Sequence, residues 1–436
     1  MEGKQFFERA SWTLVDQCVV SGGNFLLNVL LARVLSEQDY GEFALFLGGI
    51  FLLRAIDYSL ISYPLSVRLC VAKEEERGTL LGNTVLLTVA LSLVLVVAMA
   101  IGTTILDEES ILLPACLCYL CWQAQETSRR FLLAEFRYRA AVAGDGIAYV
   151  GQVLVIAFVL WAGSVTLATA LYSMSATFVF GALVHASKLK FARPDFTQIR
   201  QLAAEYISVG KWSLVNYELV LIRAQIFPWL LAVFAGLTAT ASLQAGLNLA
   251  NTMNPIIFGI GNAIPQVAAH AYHTGGVLAA SRAAYRYVLF GLGPILLICA
   301  AGLVVPHILL RAVYGDSSPY VGIVIGLQLL VVAGVFDYIA EMISKTLLGV
   351  QSGKLAFLVN VVAVGVALAL ALVLIGPMGV FGACLALLIA NLVRAVGAVT
   401  AITWLITREK AKNQAHGTSA GGMAPTNPAV GAPAKQ

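Results

Sequence analysis

The sequence predicts an all-α membrane protein, with twelve transmembrane helices in two pseudo-symmetric six-helix lobes around a central cavity. Three observations lead there. Only 11% of the 436 residues are charged and 59% are hydrophobic, whereas soluble domains carry about 25% charged residues. The mean hydropathy is +0.86, so the apolar residues must face lipid. The hexapeptide "WTLVDQ" at Trp12–Gln17 also returns as "WSLVNY" at Trp212–Tyr217, an offset of 200 residues (12 to 212).

A span takes about 20 mostly apolar residues. Twelve such runs follow one another, at roughly 11–35, 41–64, 79–106, 110–134, 141–162, 165–187, 206–233, 239–268, 283–305, 320–347, 355–375 and 379–405. The first comes after a short amphipathic head, "MEGKQFFERA". It is too long for a signal-peptide core and lacks an A-x-A site, so it reads as a retained span. Pro228, Pro255, Pro265 and Pro294 are expected kinks. From Thr407 the chain turns polar and rich in Ala, Gly and Pro, the composition of a disordered tail. The predicted units are therefore residues 1–198, 199–406 and a tail at 407–436.

The links alternate in charge. One set holds most of the 27 basic residues: Lys4 and Arg9, then Arg68, Lys73 and Arg77, then Arg129, Arg130, Arg137 and Arg139. Lys188, Lys190, Arg193 and Arg200 continue it, followed by Arg282, Arg286, Lys345, Lys354 and the cluster after Thr407. The other set ("SEQDY", "LDEES", "AGS", "AGLTAT", "GPMG") is flanked only by Arg33 and Arg311. The positive-inside rule then places both termini and every basic link in the cytoplasm. The outer links are too short to hold a folded domain.

The offset that aligns the hexapeptides also aligns Leu30-Leu31-Ala32 with Leu230-Leu231-Ala232. A repeat of six spans returns to its starting side, so the halves share one orientation and are related by an axis along the membrane normal. Transporters of this construction hold substrate between the halves and expose it to each side in turn.

Polar residues interrupt the apolar helices in stripes. Gln17, Ser21, Asn24 and Asn28 fall on one face of span 1. Gln244, Asn248 and Asn251, followed by Thr252 and Asn254, do the same in span 8. Two readings stay open: interhelical hydrogen bonding, or the wall of a hydrated cavity.

Charges near mid-span cost about 2.5–3.5 kcal/mol each if unpaired. Arg54 and Asp57 lie in span 2, Glu218 and Arg223 in span 7, and Arg394 in span 12. They must pair, Arg54 with Asp57 for instance, or contact water. Alternatively Arg54, Arg223 and Arg394 line a cavity and hold an anionic head group, since guanidinium binds phosphate through a two-pronged fork. The acids Asp16, Glu126, Asp145 and the i,i+4 pair Asp337 and Glu341 remain. Crowded carboxylates can carry H+ or Na+, which makes Asp16, Asp337 and Glu341 candidates for ion coupling.

No G-x-x-x-x-G-K-[ST], H-E-x-x-H or G-x-S-x-G motif is present. Nothing calls for a cofactor, a metal or nucleic acid. The seven cysteines fall mostly in apolar stretches without His or carboxylate at ligand spacing, so neither metal nor disulfide is inferred. His270 and His273 read as solvated link residues.

"LARVLSEQDYGEFALF" (Leu31–Phe46) resembles the A-R-x-L-x-x-x-x-Y-G turn between the first two helices of bacterial polysaccharide flippases. These belong to the multidrug/oligosaccharidyl-lipid/polysaccharide exporter superfamily. "VYGDSSPYVGIVIGLQLL" is similar to the family's Y-G-x-x-Y stretch before helix 10, and "GPMGVFGACLA" to the Gly-rich entry to its last helix. The resemblance covers residues 5 to 405. It implies two six-helix lobes in a V, and transfer of an undecaprenyl-diphosphate-linked oligosaccharide from the inner to the outer leaflet of the cytoplasmic membrane. It also implies a cationic cavity for diphosphate and glycan, a role that Arg54, Arg223 and Arg394 match by type and depth. Glu218 departs from a purely cationic picture. Two other readings are an ion-coupled multidrug exporter of the same superfamily and a membrane polysaccharide polymerase or ligase. Three mid-span arginines argue against the first, and the short outer links against the second.

Overall fold

In a computed structural model, residues 2–105 and 109–420 are described. The helices are α1 (Glu2–Val34), α2 (Glu37–Asp57), α3 (Tyr63–Val71), α4 (Glu74–Ile105), α5 (Glu109–Ala134), α6 (Tyr138–Asp145), α7 (Gly151–Ala162) and α8 (Leu167–Ala186). The second half holds α9 (Phe196–Ala235), α10 (Leu237–Ala250), α11 (Asn254–Gly261), α12 (Ile264–Val304), α13 (Pro306–Tyr314), α14 (Val324–Gly349) and α15 (Gly353–Ala420).

Among the described residues, nine stretches are long and apolar enough to cross a membrane. Two of these double back on themselves. In α12 the backbone leaves the helical region at Gly275 and Gly276, where Gly276 has φ 70°. Ile260 then sits against Gly291, so the chain has reversed between them. In α15 the break is Gly379, φ 53°, and Arg394 reaches Asn360 across the resulting hairpin. A Cβ is disfavoured at such positive φ. α5 adds the remaining crossing; Gln123, Gln125 and Glu126 make it too polar to qualify by composition. The total is twelve crossings, in two lobes of six.

Several elements differ from the sequence reading. Span 2 is not one regular helix: a wide π turn at Tyr58–Ser62 joins α2 to α3, and a second at Gly146–Val150 joins α6 to α7. Span 8 breaks into a 3₁₀ turn at Asn251–Met253. Pro255 and Pro265 open α11 and α12, where the missing N–H costs nothing, whereas Pro228 and Pro294 sit inside helices. Span 10 begins with a 3₁₀ turn, Pro319–Gly322. The last helix runs on to Ala420, past the predicted tail start at Thr407. "TREKAKNQA" is built of strong helix formers, which outweigh its polarity. Residues 421–436 of that tail lie outside the described residues.

The α1–α2 turn and the stretch before α14 meet in space, on the distal face of the molecule, opposite the termini. Arg33 donates to the carbonyls of Val313 at 2.6 Å and Ala312 at 2.9 Å, at the end of α13. Tyr40 packs on Tyr320 with ring centroids 5.8 Å apart, and Tyr320 on Tyr314 at 5.5 Å. Tyr314 donates its hydroxyl to Ala245 O at 2.9 Å. A Cβ at Gly41 would stand 2.2 Å from Leu237 O, so α2 and the start of α10 touch backbone to backbone there. These contacts shut the distal face. Gly41→Leu should hold it open. The check is a single cysteine introduced at Gln244, in a background without native cysteines, which should become reactive to an impermeant thiol reagent applied from the distal side.

Candidate functional site

A cavity of about 200 Å³ lies where the halves meet. Ala44, Leu47, Gly48 and Phe51 of α2 form its wall on the first half. The second half contributes Arg223, Gln225 and Pro228 from α9, and Gln244, Asn251 and Asn254 from the broken eighth crossing. It also contributes Asp337 of α14 and Asn391 of α15. The first-half wall is thus apolar, while the other sets these polar groups among apolar ones such as Leu247, Ile257, Leu330 and Leu387.

The polar wall is backed by an ion-pair network. Arg223 donates to Asp337 at 3.0 Å and to Asn391 Oδ1. Arg394 donates to the same Asp337 oxygen at 2.8 Å, to Glu341 at 2.6 Å and to Asn360 Oδ1 at 3.0 Å. Lys345 stands 3.5 Å from Glu341. Asn391 donates in turn to Ala333 O at 3.2 Å. Arg223, Asp337 and Arg394 each lie about 20 Å of helix from the distal face, which is mid-membrane.

The first half has its own network, nearer the termini. Arg129 on α5 donates to Asp145 at 2.6 Å, to Asp16 of α1, and to Glu126 at 3.4 Å. Glu126 also receives Arg130 at 2.6 Å and Arg54 at 3.2 Å. Gln125 donates to Asp145 at 2.6 Å. His185 is fully buried, with Nε2 2.8 Å from Ala141 O and 3.7 Å from Asp145. Arg54 lies over the Trp122 ring at 4.4 Å and Arg130 over Tyr58 at 5.0 Å, contacts that guanidinium makes favourably with aromatic faces.

The three arginines singled out in the sequence do not converge. Arg223 borders the central cavity. Arg394 sits behind Asp337, its side chain only 1% exposed. Arg54 borders a separate cavity of about 140 Å³, lined by the first half together with Tyr217 and Leu221 of α9, across Phe51 from the central one. Its partner is Glu126 rather than Asp57, because both Glu126 and the ring it covers are on α5. Asp57 instead accepts from Ser62 at 3.4 Å and keeps Oδ1 without a partner. Glu218 keeps Oε1 buried and unbonded.

Of the polar stripes, Asn251 lines the cavity and Asn248 does not; its amide faces Tyr314 at 3.5 Å. Asn28 bridges the halves, accepting from Gln244 at 3.3 Å and from Tyr40 at 3.5 Å. Asn24 contributes its carbonyl, which accepts from Asn28 at 3.0 Å. Asp16 is held by Arg129, while Asp337 and Glu341 share Arg394.

Sequence reasoning missed the central part of Arg129, which it counted as a link residue, and that of His185, Gln125 and Asn391. A usable signal was present: Glu126, Arg129 and Arg130 at i, i+3 and i+4 on an otherwise apolar run.

A family model described as polysaccharide biosynthesis protein matches residues 7–269, more than half of the chain. The chain belongs to the polysaccharide biosynthesis protein family. Solved structures show its fold. An inward-facing multidrug resistance MATE family transporter of the MOP superfamily is 17% identical, covers 93% of this chain and 96% of that one, and superposes with a TM-score of 0.69. A MOP superfamily transporter from Pyrococcus furiosus, with a binding pocket of reversed polarity, is 15% identical, with coverages of 92% and 94% and a TM-score of 0.64. A MATE structure in complex with MaL6 is 16% identical, with coverages of 93% and 96% and a TM-score of 0.63. No curated protein sequence matches the chain. This polysaccharide biosynthesis family member is thus a multi-pass membrane protein with the fold seen in MOP superfamily transporters.

In this family member Arg129→Ala would leave Asp16 and Asp145 buried without their cation. Breaking a buried pair from one side costs about 3–5 kcal/mol. Thermal unfolding in detergent should show a large drop, and Asp145→Asn on top of Arg129→Ala should recover part of it.

Proposed function

We propose that the protein carries an undecaprenyl-diphosphate-linked oligosaccharide from the inner to the outer leaflet of the bacterial cytoplasmic membrane. Transport proceeds by alternating access, with both termini cytoplasmic. Residues 1–198 and 199–406 act as the two moving lobes, and residues 407–436 as a cytoplasmic appendage. The observation that carries this reading is the cavity at the boundary of the lobes. It has Arg223 on its wall, in a chain whose family is polysaccharide biosynthesis.

A phosphate oxygen entering the cavity would compete with Asp337 and Asn391 for Arg223. Arg54 and Arg394 support the site from behind, by holding Glu126 and Asp337 in place. Asn24, Asn28, Asn248 and Asn251 belong to the stripes that face the boundary or bridge it. A coupling cation, H+ or Na+, would act by releasing an arginine from its acid at Asp16, Asp337 or Glu341. A second reading, an ion-coupled multidrug exporter, is favoured by the partial exposure of Asp337, 29%, and Glu341, 23%.

Deleting the gene should remove a surface polymer and accumulate its lipid-linked precursor on the inner leaflet. Sensitivity to organic cations without loss of polymer would support the exporter instead. Arg223→Gln should slow polymer export at least tenfold with the protein inserted at normal amount, measured by pulse-labelling the surface glycan. Unchanged export would take Arg223 out of the transport site.

A further inference from the structure

We propose that the glycan carried by this protein is uncharged, and that a belt of carboxamides on the cavity wall reads its hydroxyl groups. The proposal rests on the reading above that the cargo is a lipid-linked oligosaccharide, and it names the class of sugar.

Charge is the first ground. An acidic sugar would need a cation free to receive its carboxylate. Arg223 is the one basic residue among the described residues lining the cavity, and it is already shared by Asp337 and Asn391. Asp337 borders the same space and would repel a second carboxylate. The wider interior gives no surplus of positive charge. In the first half Arg54, Arg129 and Arg130 meet Asp16, Glu126 and Asp145, and Asp57 is a further buried acid. In the second half Asp337 and Glu341 take up Arg223, Lys345 and Arg394, and Glu218 stands apart.

Lining chemistry is the second ground. Gln225, Gln244, Asn251 and Asn254 all border the cavity. Among the described residues, the side chains of Gln225, Asn251 and Asn254 find no hydrogen-bond partner, and Gln244 spends only its amide nitrogen, on Asn28. A carboxamide offers an acceptor oxygen and two donor hydrogens. A sugar hydroxyl is likewise both donor and acceptor, so the two satisfy one another without moving a charge out of water. Three of the four come from the broken eighth crossing. Its 3₁₀ turn at Asn251–Met253 sets Asn251 and Asn254 one tight turn apart.

The opposite wall completes the match. A pyranose ring has an apolar C–H face as well as hydroxyl edges. Phe51 presents its ring to the cavity and is held edge-on by Trp122 at 5.9 Å. Glycine at position 48 keeps this wall low between Leu47 and Phe51.

The test uses the full-length protein reconstituted in vesicles. Two synthetic polyprenyl-diphosphate oligosaccharides of equal length serve as probes, one of neutral hexoses and one carrying a uronic acid. The neutral lipid should cross with the higher apparent affinity. The double variant Gln225→Ala, Asn251→Ala should weaken its apparent affinity about tenfold, and Asn251→Gln, which keeps the carboxamide, should leave it near wild type. Monodisperse elution and an unchanged unfolding temperature show that the variants are folded. Preference for the uronic-acid lipid, or an unchanged affinity for the neutral lipid in the folded double variant, overturns the proposal and leaves the flippase reading standing. Failure of both lipids to cross overturns the flippase reading and this proposal with it.

Discussion

A guanidinium group in hydrocarbon has to find a carboxylate, and that requirement organises the interior of both halves. Arg129 on α5 draws Asp16 from α1 and Asp145 from α6 into one cluster. Arg394 on the last crossing and Arg223 on α9 close on the same Asp337 of α14. Each network therefore ties together helices that are far apart in sequence. The net gain is small, because stripping water from two charges consumes most of their attraction. The penalty for a wrong arrangement is large, since it strands a charge. Such networks select one packing of apolar helices that would otherwise slide past one another, lipid giving them no hydrophobic reason to choose.

Contacts between the halves are of another kind. At the distal face they are the neutral hydrogen bond of 3.3 Å from Gln244 to Asn28, the ring contact of Tyr40 with Tyr320, and Arg33 on two backbone carbonyls. Exposed or neutral contacts of this sort are worth about 1 kcal/mol each. They can be exchanged for water when the face opens. The ion pairs inside each lobe do not open for water alone, because breaking one without a replacement ion strands a charge. The chain is thus stiff within its lobes and weakly closed between them, the distribution that alternating access needs.

Much of this architecture is legible in the amino-acid sequence. Span number follows from length and apolarity. The high cost of mid-membrane charge marks Arg54, Asp57, Glu218, Arg223 and Arg394 as residues that must be paired or wetted; the three arginines find acids, whereas Asp57 keeps Oδ1 and Glu218 keeps Oε1 without a partner. Partner choice is not legible. Arg54 lies three residues from Asp57, yet turns to Glu126 on another helix, and periodicity along one helix carries no information about its neighbours. Nor does the spacing reveal the π turns at Tyr58–Ser62 and Gly146–Val150, because an inserted residue leaves the apolar pattern nearly intact. The meeting of Arg33 and Tyr40 with Val313 and Tyr320 is unreadable for the same reason, although both stretches stand out individually.

The helix α9 bears the consequence of these differences. Its first half packs against the first lobe: Glu205 pairs with Arg68 at 2.6 Å, Tyr206 bonds Thr84 at 2.9 Å, and Gly210 lies against Ser59 O. The start is fixed by Asp195, which caps the helix through Thr197 and Gln198; those bonds hold its carboxyl below the usual range. Its second half reaches the other lobe through Arg223, which pairs with Asp337. One continuous helix of 40 residues is therefore anchored at both ends to bodies that the proposed alternating access would move apart. In that mechanism the stretch between the anchors, from Gly210 to Arg223, would absorb the motion. It contains Glu218, whose Oε1 has no partner, and Tyr217, which meets the first lobe through the ring of Tyr58. A segment that must flex cannot also be bound tightly on either side, and the sparse bonding of these two residues is what that constraint leaves.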